Sequence, residues 1–290
     1  MRILIERDDL AEAAARAACA HEPDAEVAVV DIRPAHRGFR AFLNESAIDV
    51  SELAIVTMLQ AVAYDRPIVL LPVATLCRDQ HRMLVTRQER TVAQLAGATV
   101  GVRSWSQTTG VWVRGFAAHE EQVELRDVNW IVYEPGHLPE HQDPAWVSRA
   151  AAGSELLADF TVGRLDYAIF GNELPDDPEI HAANPDAEAA ARRFSVREGY
   201  VPVNHVLATT REFADAHAET LCAMFDAIAA VQAAQDSGGE PVGFAALRAP
   251  FTRVAEYAFE QEVVPRLVDF HEVVARSCDA LRVSASRLGG

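Results

Sequence analysis

Short apolar runs rich in Val and Ile alternate along this chain with longer stretches of helical period. A parallel sheet with crossover helices requires that alternation, so the chain reads as an α/β protein. Strands are expected over residues 2–5, 27–32, 68–73, 99–102, 128–133, 167–170 and 203–208. Between them, Ser51 is placed to cap a helix over 52–63, and Thr209 with Glu212 fits a capping box before a helix running to Gln235. In that second helix Leu221, Met224, Phe225, Ile228 and Val231 recur at helical spacing and mark a core-facing stripe. The run Asp236-Ser237-Gly238-Gly239-Glu240-Pro241 reads as a turn, followed by two further helical patterns reaching Leu288. At 290 residues the chain has room for two lobes, given about 100–200 residues per domain.

Charge bounds the partners. Asp and Glu number 43 against 26 Lys and Arg, a net charge of −17. A field of that sign repels phosphate backbones and anionic headgroups, which speaks against nucleic acid and membrane surfaces as partners. A small anionic substrate would need locally concentrated arginines. Cys19, Cys77, Cys222 and Cys278 stand far apart with no C-x-x-C pair, so reduced thiols in a cytosol are expected. The amino terminus turns acidic after Ile3-Leu4-Ile5, leaving no room for the apolar core of a secretory signal. No apolar run approaches the ~18–20 residues of a membrane span. A cytoplasmic protein is therefore expected, monomeric or a homodimer.

Three stretches gather chemistry. In the first, Arg103 leaves the strand over 99–102, and Trp105, Ser106, Thr108, Thr109 and Trp112 lead into a helix. The three hydroxyls would sit at a helix N-terminus whose free N–H groups favour a carboxylate or phosphate, and they could equally serve as simple caps. Arg103 lies where ligands bind in open α/β sheets, and its planar fork suits a carboxylate. Trp105 and Trp112 could wall an aromatic ring or fill the core. The second stretch, after the strand over 68–73, carries Arg78, His81 and Arg82, a clamp with a proton carrier or else a solvated loop. The third, Asn204-His205, interrupts an apolar strand, and buried polar groups there need partners. Glu52, at the expected helix N-terminus, is a further site candidate, whereas Glu45 and Asp49 suit solvated caps. His137-Leu138-Pro139-Glu140-His141 matches an H-x-x-E-H zinc string, but Pro139 and Pro135-Gly136 forbid the continuous helix that string needs. No metal is assigned there, and His137 stays a single candidate after the strand over 128–133. No G-x-S-x-G, G-x-G-x-x-G or P-loop string occurs.

Asp49-Val50-Ser51-Glu52-Leu53, Pro72-Val73 with Arg78 and His81, Val100-Gly101-Val102-Arg103, and Gln107-Thr108-Thr109-Gly110-Val111-Trp112-Val113-Arg114-Gly115 together resemble the 4,5-dihydroxyphthalate decarboxylase family. Gly163-Arg164-Leu165-Asp166-Tyr167-Ala168 and Asn204-His205 are similar as well, so the resemblance runs from about Phe42 to Ala208. It implies the two-lobed type II periplasmic-binding-protein-like fold with the ligand in the cleft between lobes. Lobe one would take residues 1–97 and 208–290, and lobe two 98–207.

The function expected on that resemblance is cofactor-independent decarboxylation of a hydroxylated aromatic carboxylate such as 4,5-dihydroxyphthalate. Arg103 with Thr108 and Thr109, joined by Arg78, Ser106 and Asn204, would hold the acid, with Trp105 and Trp112 along the ring. His81 and His205 are the acid and base candidates, with Glu52 or His137 orienting them. The alternative is a non-catalytic solute-binding protein for an aromatic or other small carboxylate.

Overall fold

The computed structural model describes residues 1–171, 174–235 and 240–290. In chain order the elements are β1 (Arg2–Leu4), α1 (Asp8–His21), β2 (Ala28–Val29), α2 (Phe39–Glu45), β3 (Val50–Ala54), α3 (Ile55–Ala63) and β4 (Ile68–Cys77). There follow β5 (Leu84–Thr86), β6 (Thr99–Val102), α4 (Thr108–His119), β7 (Asn129–Val132), β8 (Ser148–Arg149), α5 (Leu156–Thr161), β9 (Tyr167–Ile169), β10 (His181–Ala182) and α6 (Ala187–Glu198). The chain closes with β11 (Val203–Thr210), α7 (Arg211–Ala216), α8 (Ala218–Ala233), α9 (Phe244–Glu260) and α10 (Phe270–Leu281). It divides into two compact units: residues 1–77, 203–255 and 266–290 form the first, and 78–202 with 256–265 the second.

These boundaries differ from the expected 97/98 and 207/208, for reasons of strand pairing. Residues 78–97 belong to the second unit because β5 hydrogen-bonds to β9 there. Val203–Thr210 belongs to the first because β11 lies between β3 and β4.

Among the described residues the first unit carries a five-stranded sheet in the order β2-β1-β3-β11-β4. Strands β1, β2 and β3 run parallel, whereas β11 is antiparallel to both neighbours, so the sheet is mixed rather than all parallel. Every residue of β3 and α3 is buried, which is why 50–63 reads as one apolar run. The expected helix over 52–63 starts three residues later, because pairing of β3 with β1 and β11 holds Val50–Ala54 extended. Beside β11 the register of β4 shifts around Pro72, which has no N–H to give the ladder. Here the carbonyl of Pro72 instead accepts from the Gly243 amide at 2.7 Å. The cap expected at Thr209 falls to Thr210, whose hydroxyl accepts from the Phe213 amide. Thr209 instead donates to the Asp49 carbonyl at 2.7 Å, and the expected long helix breaks at His217 into α7 and α8. Leu221, Met224, Phe225 and Ile228 are buried as their spacing requires. Residues 236–239 of the expected turn lie outside the described residues.

The second unit's sheet runs β10-β5-β9-β6-β7-β8 among the described residues. Its central strands β9, β6 and β7 are parallel, with β5 antiparallel at β9. Val102 of β6 sits opposite Ile169 of β9, so the loops leaving both strands emerge at the same sheet end.

The Thr108–Gly115 run earns its residue types mainly by packing. Arg114 is fully buried, with its guanidinium 3.6 Å above the Trp105 ring, and donates to the Trp105 carbonyl at 2.6 Å and Gln261 Oε1 at 2.7 Å. A Cβ on Gly110 would come 2.8 Å from Arg114 Nη1, and one on Gly115 would come 2.1 Å from the Tyr257 ring. Both positions are glycine because a neighbour occupies the side-chain volume. Gly115→Ala is expected to destabilise the protein by about 1–3 kcal/mol, the usual penalty of overpacking. In a Tyr257→Leu background the same change should be smaller, checked by urea unfolding of the four proteins of that cycle.

Candidate functional site

Two clusters hold the candidates, one in each unit. In the first unit the antiparallel register pairs Leu207 with Glu52 and His205 with Ala54. Glu52 and His205 are therefore diagonal neighbours on one face of adjacent strands, within reach of long side chains. Glu52 Oε1 is hydrogen-bonded to His205 Nδ1, while Oε2 accepts the Glu6 amide at 2.9 Å. The Thr75 hydroxyl favours the charge without making a well-aligned hydrogen bond. Glu6 in turn accepts the Ala35 amide at 2.9 Å, bracing the segment that leads to Phe39. The Phe39 ring meets the His205 ring edge-on at 5.5 Å.

Glu52 is only 2% exposed, and burial alone would raise its carboxyl. The hydrogen bond and charge of His205, with the Glu6 amide, outweigh burial and hold it below the ordinary carboxylate range. With Nδ1 committed to Glu52, Nε2 is the ring nitrogen left to meet a ligand. Asn204, next along β11, is buried and engaged. Glu52 is thus a mid-strand residue, where the sequence pattern suggested a helix N-terminus.

In the second unit, Arg78 Nη2 donates to the Thr109 hydroxyl at 2.9 Å. Burial, with the charge of Arg82 adding to it, pushes the Arg78 guanidinium down to about 10. Arg78 Nε and Gln107 Oε1 are both buried without a hydrogen-bond partner. Thr108 and Thr109 are the first residues of α4, with Gln107 preceding them as an uncapping N-cap. Arg103 is half-buried, and among the described residues its guanidinium makes no hydrogen bond or ion pair. Ser106 Oγ shares a 3.3 Å hydrogen bond with Ser104. The loop carrying half-buried His137 lies against it, since a Cβ on Gly136 would come 2.9 Å from Ser106 Oγ.

Three expected site residues are spent on packing. Trp105 and Trp112 are fully buried. Trp105 sits against Trp130, Trp146 and Arg114 and donates its Nε1–H to the Gln261 carbonyl, while Trp112 packs on Phe116, Phe194 and Tyr257. Neither indole is free to wall a ligand. His81 is stacked on Phe116 at 4.0 Å, with Nε2 3.4 Å from Glu120, beside a cavity of about 30 Å³. That space suits a water molecule, and the imidazole is held between the Phe116 ring and the Glu120 carboxylate. Gln107 and Gly171, which the sequence did not single out as site residues, stand beside Arg78 and Thr109. Asparagine- and glycine-like turn signals are too common for the left-handed φ of +74° at Gly171 to have identified it.

No family model matches the chain. It is 27% identical over 198 residues to 4,5-dihydroxyphthalate decarboxylase from Comamonas testosteroni, covering 62% of this chain and 58% of that relative's length. Among solved structures, the periplasmic aliphatic sulphonate binding protein SsuA from Escherichia coli superposes with a TM-score of 0.53 at 14% identity, over 94% of this chain and 96% of that one. A putative periplasmic sulfonate-binding protein SsuA from Methylobacillus flagellatus gives 0.53 at 11%, over 98% and 94%. The fold is that of the two-lobed periplasmic solute-binding proteins, and the sequence is related to a decarboxylase. Among the described residues no helix is long and apolar enough to cross a membrane.

The Glu52 carboxyl is lower in the folded protein than its ordinary value of 4.5, so its pairing stabilises the fold above that pH and is lost as pH falls through the folded value. Glu52→Gln should therefore be less stable than wild type by about 1.5–3 kcal/mol near neutrality. Urea midpoints taken from pH 7 down to 3 should show the two proteins converging on the acid side.

Proposed function

We propose that this protein is a cytoplasmic decarboxylase of a hydroxylated aromatic carboxylate, with 4,5-dihydroxyphthalate as the leading substrate. The observation that carries this reading is the buried Glu52–His205 pair. A ligand can be held by hydrogen bonds alone, whereas a buried carboxylate bracing an imidazole fixes its tautomer and orientation, as proton transfer requires. The decarboxylase relationship supports the same chemistry.

In 4,5-dihydroxyphthalate each carboxylate stands para to a hydroxyl. Removing the hydroxyl proton raises electron density at the carbon bearing that carboxylate. A proton delivered there makes a tetrahedral carbon in a dienone ring. The bond to the carboxylate then breaks, its electron pair restores the aromatic phenolate, and carbon dioxide leaves. The phenolate oxygen then takes a proton back, so one proton is consumed overall, and the ring itself serves as the electron sink. His205, braced by Glu52, is assigned the proton transfer at Nε2. Arg78, Arg103, Thr108 and Thr109 are assigned recognition of the acid groups.

A second reading, binding without turnover, is favoured by the fold itself. Its solved neighbours are named as sulfonate-binding proteins, and the largely buried Arg78 suits any small organic acid.

Purified protein incubated with 4,5-dihydroxyphthalate and a panel of hydroxybenzoates, with and without chelator, should release carbon dioxide with a matching change in the ultraviolet spectrum. Absence of turnover, together with a ligand-induced rise in Tm, would replace decarboxylation by the binding reading. His205→Gln and Glu52→Gln should each lower kcat by ~10²–10⁴-fold, the range for losing a general acid–base group. Arg103→Ala should lower kcat/KM by ~10²-fold, the loss of a charge-assisted clamp. Wild-type kinetics in either set would remove those residues from the reaction.

A further inference from the structure

We infer that Thr75 is a positioning residue for the Glu52–His205 pair, its hydroxyl a third donor held for the Glu52 carboxylate. Thr75 carries the one hydroxyl of β4 and is 1% exposed. Strand register sets its place. His205 of β11 lies opposite Leu76 and Val206 opposite Ala74, so Thr75 is the extra residue of a β-bulge, a device that re-aims a side chain. Strand β11 separates β3 from β4, and the Glu52 carboxylate is drawn toward β11 by its hydrogen bond to His205. That charge is what the Thr75 hydroxyl meets, although Oγ1 has no aligned hydrogen-bond partner in the resting geometry.

A buried hydroxyl without a partner is destabilising, and valine, of nearly the same shape, would fill the position without that penalty. The carboxylate has room for the donor. A carboxylate offers about four acceptor sites. His205 Nδ1 takes one on Oε1, and the Glu6 amide takes one on Oε2. Glu6 turns its own carboxylate to the Ala35 amide, so from the segment after β1 Glu52 meets a neutral donor. From β11 it meets His205, a cation only while the ring is protonated. When His205 gives its Nε2 proton to the ring carbon, the imidazole becomes neutral with Nδ1–H still on Glu52, and the buried carboxylate loses its counter-charge. A hydroxyl that turns about a single bond then swings its proton onto the carboxylate. Thr75 thereby keeps Glu52 ionised in both states of the imidazole, which preserves the tautomer that leaves Nε2 for the substrate.

The inference rests on the proposed function only in the use made of the pair, and the donor can be measured apart from turnover. Thr75→Val and Thr75→Ser would be compared with wild type by urea unfolding from pH 7 down to 3 and, with 4,5-dihydroxyphthalate, by kcat and KM across pH. In Thr75→Val the unfolding equilibrium constant at pH 7 should rise about 10-fold, the scale of a hydrogen bond to a charged group. That difference should vanish as Glu52 protonates toward pH 3. The kcat should fall about 10–100-fold with KM unchanged, and the acid limb of its pH profile should move upward, since losing a donor raises the Glu52 carboxyl. Thr75→Ser should restore both. If Thr75→Val does not fold, Thr75→Ala is compared with Thr75→Ser in its place. A Thr75→Val protein at least as stable as wild type at pH 7, the ordinary result of removing an orphaned hydroxyl, would overturn the inference, as would a loss undiminished at pH 3. The pH-dependent loss in a protein that does not turn over the substrate would uphold the donor and end the decarboxylase reading. Turnover together with wild-type stability in Thr75→Val would do the reverse.

Discussion

The buried guanidinium of Arg114 organises the second unit. A cation removed from water needs its N–H groups met and its charge spread. Here the Trp105 carbonyl, Gln261 Oε1 and the face of Trp105 supply most of that. Desolvation dominates and holds the guanidinium well below its ordinary range, with the negative charge of Asp143 acting against it. One side chain thereby ties α4 to the loop before it and to the segment around Gln261. That loop carries Arg103, Ser106 and Gln107, and the first turn of α4 carries Thr108 and Thr109. The polar edge of the unit is positioned by an interaction that itself touches no ligand.

The first unit solves a different problem. Glu52 sits in the middle of a buried strand, where an ionised carboxylate is expensive unless several donors meet it. His205 and the Glu6 amide do so, and Glu6 secures Ala35 in turn. Sheet register makes the meeting possible: with β11 antiparallel to β3, a histidine two places before the residue opposite Glu52 lies on the same face. A shift of the register by one residue would send the imidazole to the other face of the sheet.

Much of this was legible in residue order. The strand β6, the start of α4 and the acid-recognising residue types after them follow from an apolar run that ends in Arg103 and a hydroxyl cluster. The resemblance to the decarboxylases, read from the same stretches, agrees with the relationship and the fold that the comparisons found. The errors have physical causes. Val50–Ala54 has no strand alternation because both faces are buried, so it merged with α3. The surroundings of His81 were not legible, because nothing local announces Phe116 and Phe194, which enclose it. Tryptophans within a polar, hydroxyl-rich motif carry the same ambiguity, which only their fully buried surroundings resolved.

Apolar periodicity, glycine and proline placement and the charge total are properties of short windows, and they dictated the α/β class, most strands and the stretches rich in chemistry. Partnership across the chain was decided only on folding. Glu52 meets His205 across 153 positions of sequence. Arg78 meets Thr109, and Gly171 comes to both, because parallel β6 and β9 bring their carboxyl ends together. Local propensity carries no information about such pairs, since strand order, register and burial arise from long-range pairings that no single window contains.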